Sequence, residues 1–172
     1  MKLTSERLMM KQLSPNDWSL FHSLHADPKV ISLCFDEPSI DEIKVRFASR
    51  LSPWSPDSSH WLCLVITKRN NGEKVGVTGF CVQDGVAEVG FMFLPEYQGL
   101  GYGTESLKSL IEYSRINWGI EAFNAVVTEG NLGSERVLVK SGFSQVKVIA
   151  DAYEIGGKLY ADHIYHLGNI VI

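Results

Sequence analysis

Gln98, Gly99, Gly101, Gly103 and Thr104 are the residues of this chain whose types and spacing point most directly to chemistry. The apolar run from Val89 to Leu94 stops at Pro95, the alternate glycines follow, and Leu107, Leu110 and Ile111 then recur at helical spacing. Glycines leave amide N–H groups uncovered and admit positive φ. The first turn of a helix adds orphan donors at the positive end of its dipole. Strand, bare loop and helix N-terminus in that order make a site for an anion, above all a phosphate, with backbone donors at Gly99, Gly101, Gly103 and Thr104. Two familiar phosphate loops do not fit. A Walker loop needs Lys and then Ser or Thr after its last glycine, and here Thr104 and Glu105 follow Gly103, with no lysine before Lys108. A dinucleotide fingerprint needs a third Gly or Ala, where either phasing gives Thr104 or Ser106.

The elements that must position this loop can be read on both sides of it. Arg7 to Leu13 reads as a strand, and Ser14-Pro15 supplies an N-cap and a first-turn proline for a helix running to Ala26, ended by Asp27-Pro28. Ser39-Ile-Asp-Glu42 has capping-box spacing ahead of a second helix to Arg50, with Ile43 and Phe47 as its apolar stripe. Leu51 to His60, with Pro53, Trp54 and Pro56, reads as a surface loop, either a substrate lid or a segment whose Trp54 plugs the core edge. Trp61–Lys68, Val75–Gln83 and Val86–Leu94 then form an antiparallel meander, turned at Asn70-Asn71-Gly72 and Asp84-Gly85. After the loop come a helix to Trp118, a strand Ala122–Thr128, a helix Leu132–Ser141 closed by Gly142, and two strands, Phe143–Tyr153 and Leu159–Leu167. Three antiparallel strands ahead of the glycines exclude a Rossmann order.

Bulk numbers set the class. A chain of 172 residues, 45% hydrophobic and 21% charged, suits one globular domain spanning 1–172. The net charge of −4 argues against nucleic acid or an anionic membrane as partner and would suit a cationic ligand. With no long apolar run and no signal-peptide layout, a cytoplasmic protein is expected. Cys34, Cys63 and Cys81 lack metal spacing and read as core thiols. His22-x-x-His25 has no third ligand, and His163-x-x-His166 in a strand faces two ways, so no metal is expected. The apolar tail Leu167–Ile172 could pair with a second copy, leaving monomer and homodimer both open.

Several pieces together resemble the GNAT superfamily of N-acetyltransferases. These are Gln98-x-x-Gly101-x-Gly103, the flanking Ala87-Glu88-Val-Gly-Phe91 and Gly103-Thr-Glu105, the Asn131-Leu-Gly-Ser134 helix ending in Gly142-Phe143, and the start Thr4-Ser-Glu-Arg-Leu8 with Ser14-Pro-Asn-Asp17. They look like the branch containing the ribosomal-protein N-terminal acetyltransferases RimJ and RimL. The resemblance implies an α+β three-layer sandwich: a mixed, mostly antiparallel sheet of about seven strands flanked by helices. It implies acetyl-CoA as co-substrate and an amine acceptor, a protein N-terminus or a small molecule, that attacks the thioester directly. It places the donor site at Phe91, Phe93, Gln98, Gly99, Leu100, Gly101, Tyr102, Gly103, Thr104, Asn131 and Ser134, with pantetheine pairing along the strand edge near Phe93. Glu88 is implied as the base acting through water, or else as a carboxylate that orients the loop. Ser134 is the implied donor to the leaving thiolate, with Asn131 beside it, though the two also suit an N-cap and a first-turn residue. Leu138 stands where many relatives carry the acidic tyrosine. That departure motivates a competing expectation, a non-catalytic acyl-CoA-binding module. Arg136 and Lys140, one turn apart, are either solvated or in reach of the CoA phosphates.

Overall fold

The computed structural model describes residues 1–169. Eight strands, β1 Lys2–Thr4, β2 Leu8–Gln12, β3 Leu62–Lys68, β4 Lys74–Gln83, β5 Val86–Phe93, β6 Ala122–Thr128, β7 Ser144–Ile155 and β8 Lys158–Leu167, form one sheet. Their order is β1-β2-β3-β4-β5-β6-β8-β7. All neighbours run antiparallel except β5 and β6, which are parallel. The class is the expected α+β sandwich with one strand more than the seven expected: β1 is only three residues long, too short for an alternating pattern, and is fixed by pairing Lys2–Thr4 with Met9–Lys11. From the expected tail pairing, Leu167 ends β8, and residues 170–172 lie outside those described.

Period-two alternation divides the core between the two faces of the sheet. Cys63, Val65 and Val77 pack with Leu20, Phe21 and Leu24 of α1 (Trp18–Ala26) and Ile43 and Phe47 of α3 (Ile40–Leu51). Leu62, Leu64, Phe80, Val89 and Phe123 pack instead with Leu107, Leu110 and Ile111 of α4 (Tyr102–Trp118) and Leu138 of α5 (Leu132–Lys140).

The helix starts follow their capping residues. Ser39 Oγ accepts from the Glu42 amide at 3.2 Å while Glu42 Oε2 accepts from the Ser39 amide at 2.7 Å, closing the capping box of α3. Ahead of α1, Pro15–Asp17 form a 3-10 turn whose buried Asp17 accepts from the Ser14 amide and hydroxyl and pairs with Lys74 Nζ at 2.6 Å. Burial pushes the Asp17 carboxyl up, but Lys74 and Ser14 outweigh it and hold it below the usual carboxylate range. Asp27 does end α1, yet it also opens a one-turn helix, α2 (Pro28–Ile31), by accepting from the Lys29 amide at 2.9 Å. Of the two readings of the Leu51–His60 loop, the structure favours the plug: the Trp54 ring packs on Phe80 and Trp118 at 5.3 and 4.8 Å, at the core edge.

The feature that matters for function is a split in the sheet. β5 and β6 pair only from Val86–Glu88 to Ala122–Asn124. Beyond Glu88 the parallel ladder ends, while the other edge of β5 stays paired with β4 all the way to Phe93. Val89–Phe93 therefore present an open strand edge to a wedge-shaped slot.

Candidate active site

The loop Gln98–Thr104 stands at the wide end of that slot. Gly99 and Gly101 take φ of 74° and 83°, a left-handed backbone that a side chain would strain. Gly103 has another reason to be glycine. It lies in the first turn of α4, and a Cβ there would come within 2.9 Å of Val137 Cγ2, so its bareness lets α4 and α5 approach. Gln98 Nε2 donates to the Phe93 carbonyl at 3.0 Å, tying the loop to the end of β5.

Arg7 and Glu105 hold the other side of the loop. The Arg7 amide and Nε donate to the two Glu105 carboxylate oxygens at 2.7 Å each, and Ser5 Oγ donates to one of them at 2.7 Å. The guanidinium also donates to the Leu100 carbonyl at 3.0 Å and lies 4.6 Å from the centre of the Tyr102 ring. Burial alone would raise the Glu105 carboxyl; the Ser5 and Arg7 hydrogen bonds overcome it and keep the group ionised below its ordinary range. The N-terminal motif and the glycine-loop motif, far apart in sequence, are thus two halves of one clamp.

Two cavities follow. The first, about 370 Å³, is lined by Phe91, Phe93, Gln98, Gly99, Gly101, Tyr102, Gly103, Thr104, Asn131 and Ser134, with Arg136 and Lys140 at its side. The second, about 380 Å³, occupies the slot between β5 and β6 and is lined by Glu88, Val89 and Gly90 on one wall and Ala125–Thr128 on the other. Leu33, Cys34, Phe91, Asn131 and Ser134 line both, so the cavities meet there. Of the sequence-derived donor-site residues, Leu100 alone does not line the first cavity. Leu100 is 51% exposed, and what it gives the loop is its carbonyl, which accepts from Arg7.

Asn131 is the N-cap of α5 and accepts from the Ser134 amide at 3.2 Å, which leaves the half-buried Ser134 hydroxyl at the cavity junction. Leu138, one turn on, is fully buried and lines the slot with carbon only. Glu135 ties this helix to β8 through His163 Nδ1 at 2.5 Å. Glu88 is exposed on the opposite face of the sheet from α5, level with Cys81 on β4 and Asn124 on β6.

Lys29, Val30 and Ser32 also line the first cavity, and none was singled out from sequence. The signal was present as Asp27-Pro28, which reads equally as a terminator and as a new N-cap. Cys34, expected as a core thiol, is half-buried at the junction, its thiol pushed up by burial; fully buried Cys63 is pushed up to about 12. Among the described residues there is no group of three or more His, Cys, Asp or Glu that could hold a metal, and no helix long and apolar enough to cross a membrane.

A mixed sheet split beside a glycine-built anion corner defines an acyl-CoA N-acyltransferase fold. Residues 7–144 match the family described as acetyltransferase (GNAT) domain, and the chain belongs to that family. Among curated relatives, it is 28% identical over 105 residues to the uncharacterized N-acetyltransferase YoaA of Bacillus subtilis, covering 59% of each chain. It is 33% identical over 82 residues to YjdG of the same organism, also an uncharacterized N-acetyltransferase, covering 46% of this chain and 49% of that one. The chain thus spans about half to three fifths of the length of these two. Of solved structures, the spermidine N-acetyltransferase of Vibrio cholerae, in complex with CoA and spermine, superposes with a TM-score of 0.82 at 17% identity, covering 95% of this chain and 96% of that one. The RimL ribosomal-protein alpha-N-acetyltransferase in complex with coenzyme A gives 0.83 at 17% identity and 98% of both chains. At these identities the likeness is one of fold.

Proposed function

We propose that the chain is an acetyl-CoA-dependent N-acetyltransferase, a single domain of the RimJ/RimL-like kind, acting on a primary amine. One observation carries this reading: the open edge of β5, Val89–Phe93, runs from the glycine corner to Glu88, with both cavities meeting along it. An acetyl-CoA laid there has its pyrophosphate at Gly99–Thr104 and its pantetheine amides on the free β5 edge, as an added strand would be. Arg136 and Lys140 stand ready for the remaining phosphate. The thioester then reaches the junction beside Ser134 and Asn131.

An acceptor ammonium must lose a proton before its nitrogen can attack. Glu88, exposed at the narrow end of the slot, takes that proton through water. The nitrogen bonds to the thioester carbon, the C–S bond breaks, and the acetamide leaves with CoA. Ser134 donates a hydrogen bond to the departing sulfur, since Leu138 has no proton to give. The test is CoA thiol release from acetyl-CoA across a panel of amines and N-terminal peptides. Glu88→Gln should lower kcat by roughly 10²- to 10⁴-fold, the ordinary range for a general base, with acetyl-CoA binding retained. Tight acetyl-CoA binding without turnover on any acceptor, and no difference in Glu88→Gln, would favour a non-catalytic acyl-CoA-binding module.

A further inference from the structure

Two arginines on α3, one turn apart, are held in no ion pair, and only Glu42 lends Arg46 a weak acidic neighbour. Arg46 and Arg50 are each half-buried, yet the ion pairs among the described residues include neither. Their guanidiniums rest on aromatic rings instead. Arg50 Cζ lies 5.6 Å from the Phe21 ring centre and 5.9 Å from that of Trp61, and Arg46 Cζ lies 4.9 Å from that of Phe35. Glu42, one turn before Arg46, is engaged with the Ser39 amide. Half-burying a guanidinium forfeits hydration that only an anion or several acceptors restore, so such groups are normally paired. Buried His25 registers the same surplus of positive charge: its pKa is lowered to about 4, first by burial and then by Arg50 and Arg46.

Neither guanidinium lines the slot itself, and the link between them and the slot is Trp61, which lies near Arg50 and borders the slot at Gly90. Gly90 lines the slot cavity, and a Cβ on it would lie 3.1 Å from Trp61 Cζ3, so the indole lies against the strand where Gly90 has no side chain. Glu88 is two residues upstream on the same face, about 7 Å along the strand. Cys81, directly beside Glu88 in the ladder, feels both the Glu88 carboxylate and the Arg50 charge. Phe35, under Arg46, follows Leu33 and Cys34, which line the cavity junction. The order across this face is therefore carboxylate, indole, guanidinium. The net charge of −4 and the acidic residues that line the slot, Glu88 and Asp162, favour an amine there, while the positive charge lies farther along this face at Arg50 and Arg46.

We propose that the acceptor is a primary amine carrying an anionic group, a carboxylate or a phosphate, which Arg50 grips with Arg46 in support while the amine reaches the Glu88 end of the slot. A planar guanidinium offers a fork of donors matched to either anion. The Phe21 and Trp61 ring centres lie 5.6 and 5.9 Å from Arg50 Cζ, and no acceptor among the described residues takes its donors. The inference rests on the acetyl-transfer reading above.

The experiment compares matched acceptors by CoA release: an α-amino acid against its amide, and phosphoethanolamine against ethanolamine. The anionic member of at least one pair should show a kcat/KM roughly 10- to 100-fold higher, the scale of one charge-assisted hydrogen-bonded contact. The pair that shows the preference tells carboxylate from phosphate. Arg50→Gln should bring that ratio close to one, and Arg50→Lys, which keeps charge but not the fork, to an intermediate value. A wild-type ratio at or below one in both pairs overturns the proposal, as does a ratio that survives in Arg50→Gln. Should Arg50→Gln not fold, the wild-type ratios and Arg50→Lys decide, an unchanged ratio in the latter excluding fork recognition. Failure of every acceptor to release thiol sinks the transferase reading itself, and this inference with it.

Discussion

On the proposed reading, Leu138 stands where the resemblance implies an acidic tyrosine, and its surroundings decide what replaces it. Because it is fully buried in the core cluster that also holds Leu107, Phe123 and Val127, its side chain serves the core as well as lining the slot. Ser134 lies one turn earlier on the same helical face and lines both cavities, so on the proposed reading its hydroxyl is the α5 group placed to give the sulfur a proton. Replacing Ser134 by Ala should lower kcat roughly 10- to 100-fold, at the modest end of acid catalysis, with little effect on the acetyl-CoA KM. Adding Leu138→Tyr to that variant should restore part of the loss, at an overpacking cost of about 1–3 kcal/mol in stability. A double variant that folds and is no faster than Ser134→Ala would mean that the thiolate takes its proton from solvent.

At the scale of elements, the Arg7–Glu105 clamp carries the glycine loop, and its effect should appear in donor binding alone. Glu105→Gln leaves Ser5, the Arg7 amide and the guanidinium with a neutral partner, so the acetyl-CoA KM should rise about tenfold, near 1.4 kcal/mol, with kcat nearly kept. A fall in kcat at unchanged KM would place Glu105 in the chemistry instead. Helix α1 makes a second prediction through His25, 4% exposed, whose Nδ1–H donates to the Phe21 carbonyl at 2.8 Å. With its pKa lowered from 6.5 to about 4 in the folded state, the unfolded chain binds this proton first as pH falls. Stability is therefore full above pH 6.5 and declines between 6.5 and 4, by about 3 kcal/mol at most. His25→Asn, which can keep the hydrogen bond, should flatten that part of the melting-temperature profile. The glycine corner and the helix caps are legible in sequence, because Gly99, Gly101, Ser39 and Ser14 act on their immediate neighbours. The clamp and Arg50 are not, since Glu105 with Arg7, and Trp61 with Arg50, meet only through the tertiary fold.

The whole molecule is a sheet of two halves joined along three residue pairs between β5 and β6, with the proposed donor site spread over both. Strand patterns reveal each strand but say nothing of where two neighbours part, so the split had no trace in the sequence. It does fix what a bound donor must do: bridge α4, α5 and α2 while filling a ladder that the protein leaves unpaired beyond Glu88. Coenzyme A at a hundred times its Kd should stabilise the fold by about 2.7 kcal/mol, which for a chain of this size raises Tm by roughly 5–10 °C, where NAD should give no shift. Amide hydrogen exchange locates the origin of that gain. The amides of Val89–Phe93 that point towards β4 are already in a ladder and should change little. Those that point into the gap should slow markedly with coenzyme A, along with Gly99–Thr104. Protection confined to the glycine loop, with the gap-facing amides still exchanging freely, would show that the pantetheine does not complete the sheet and that the split serves the acceptor instead.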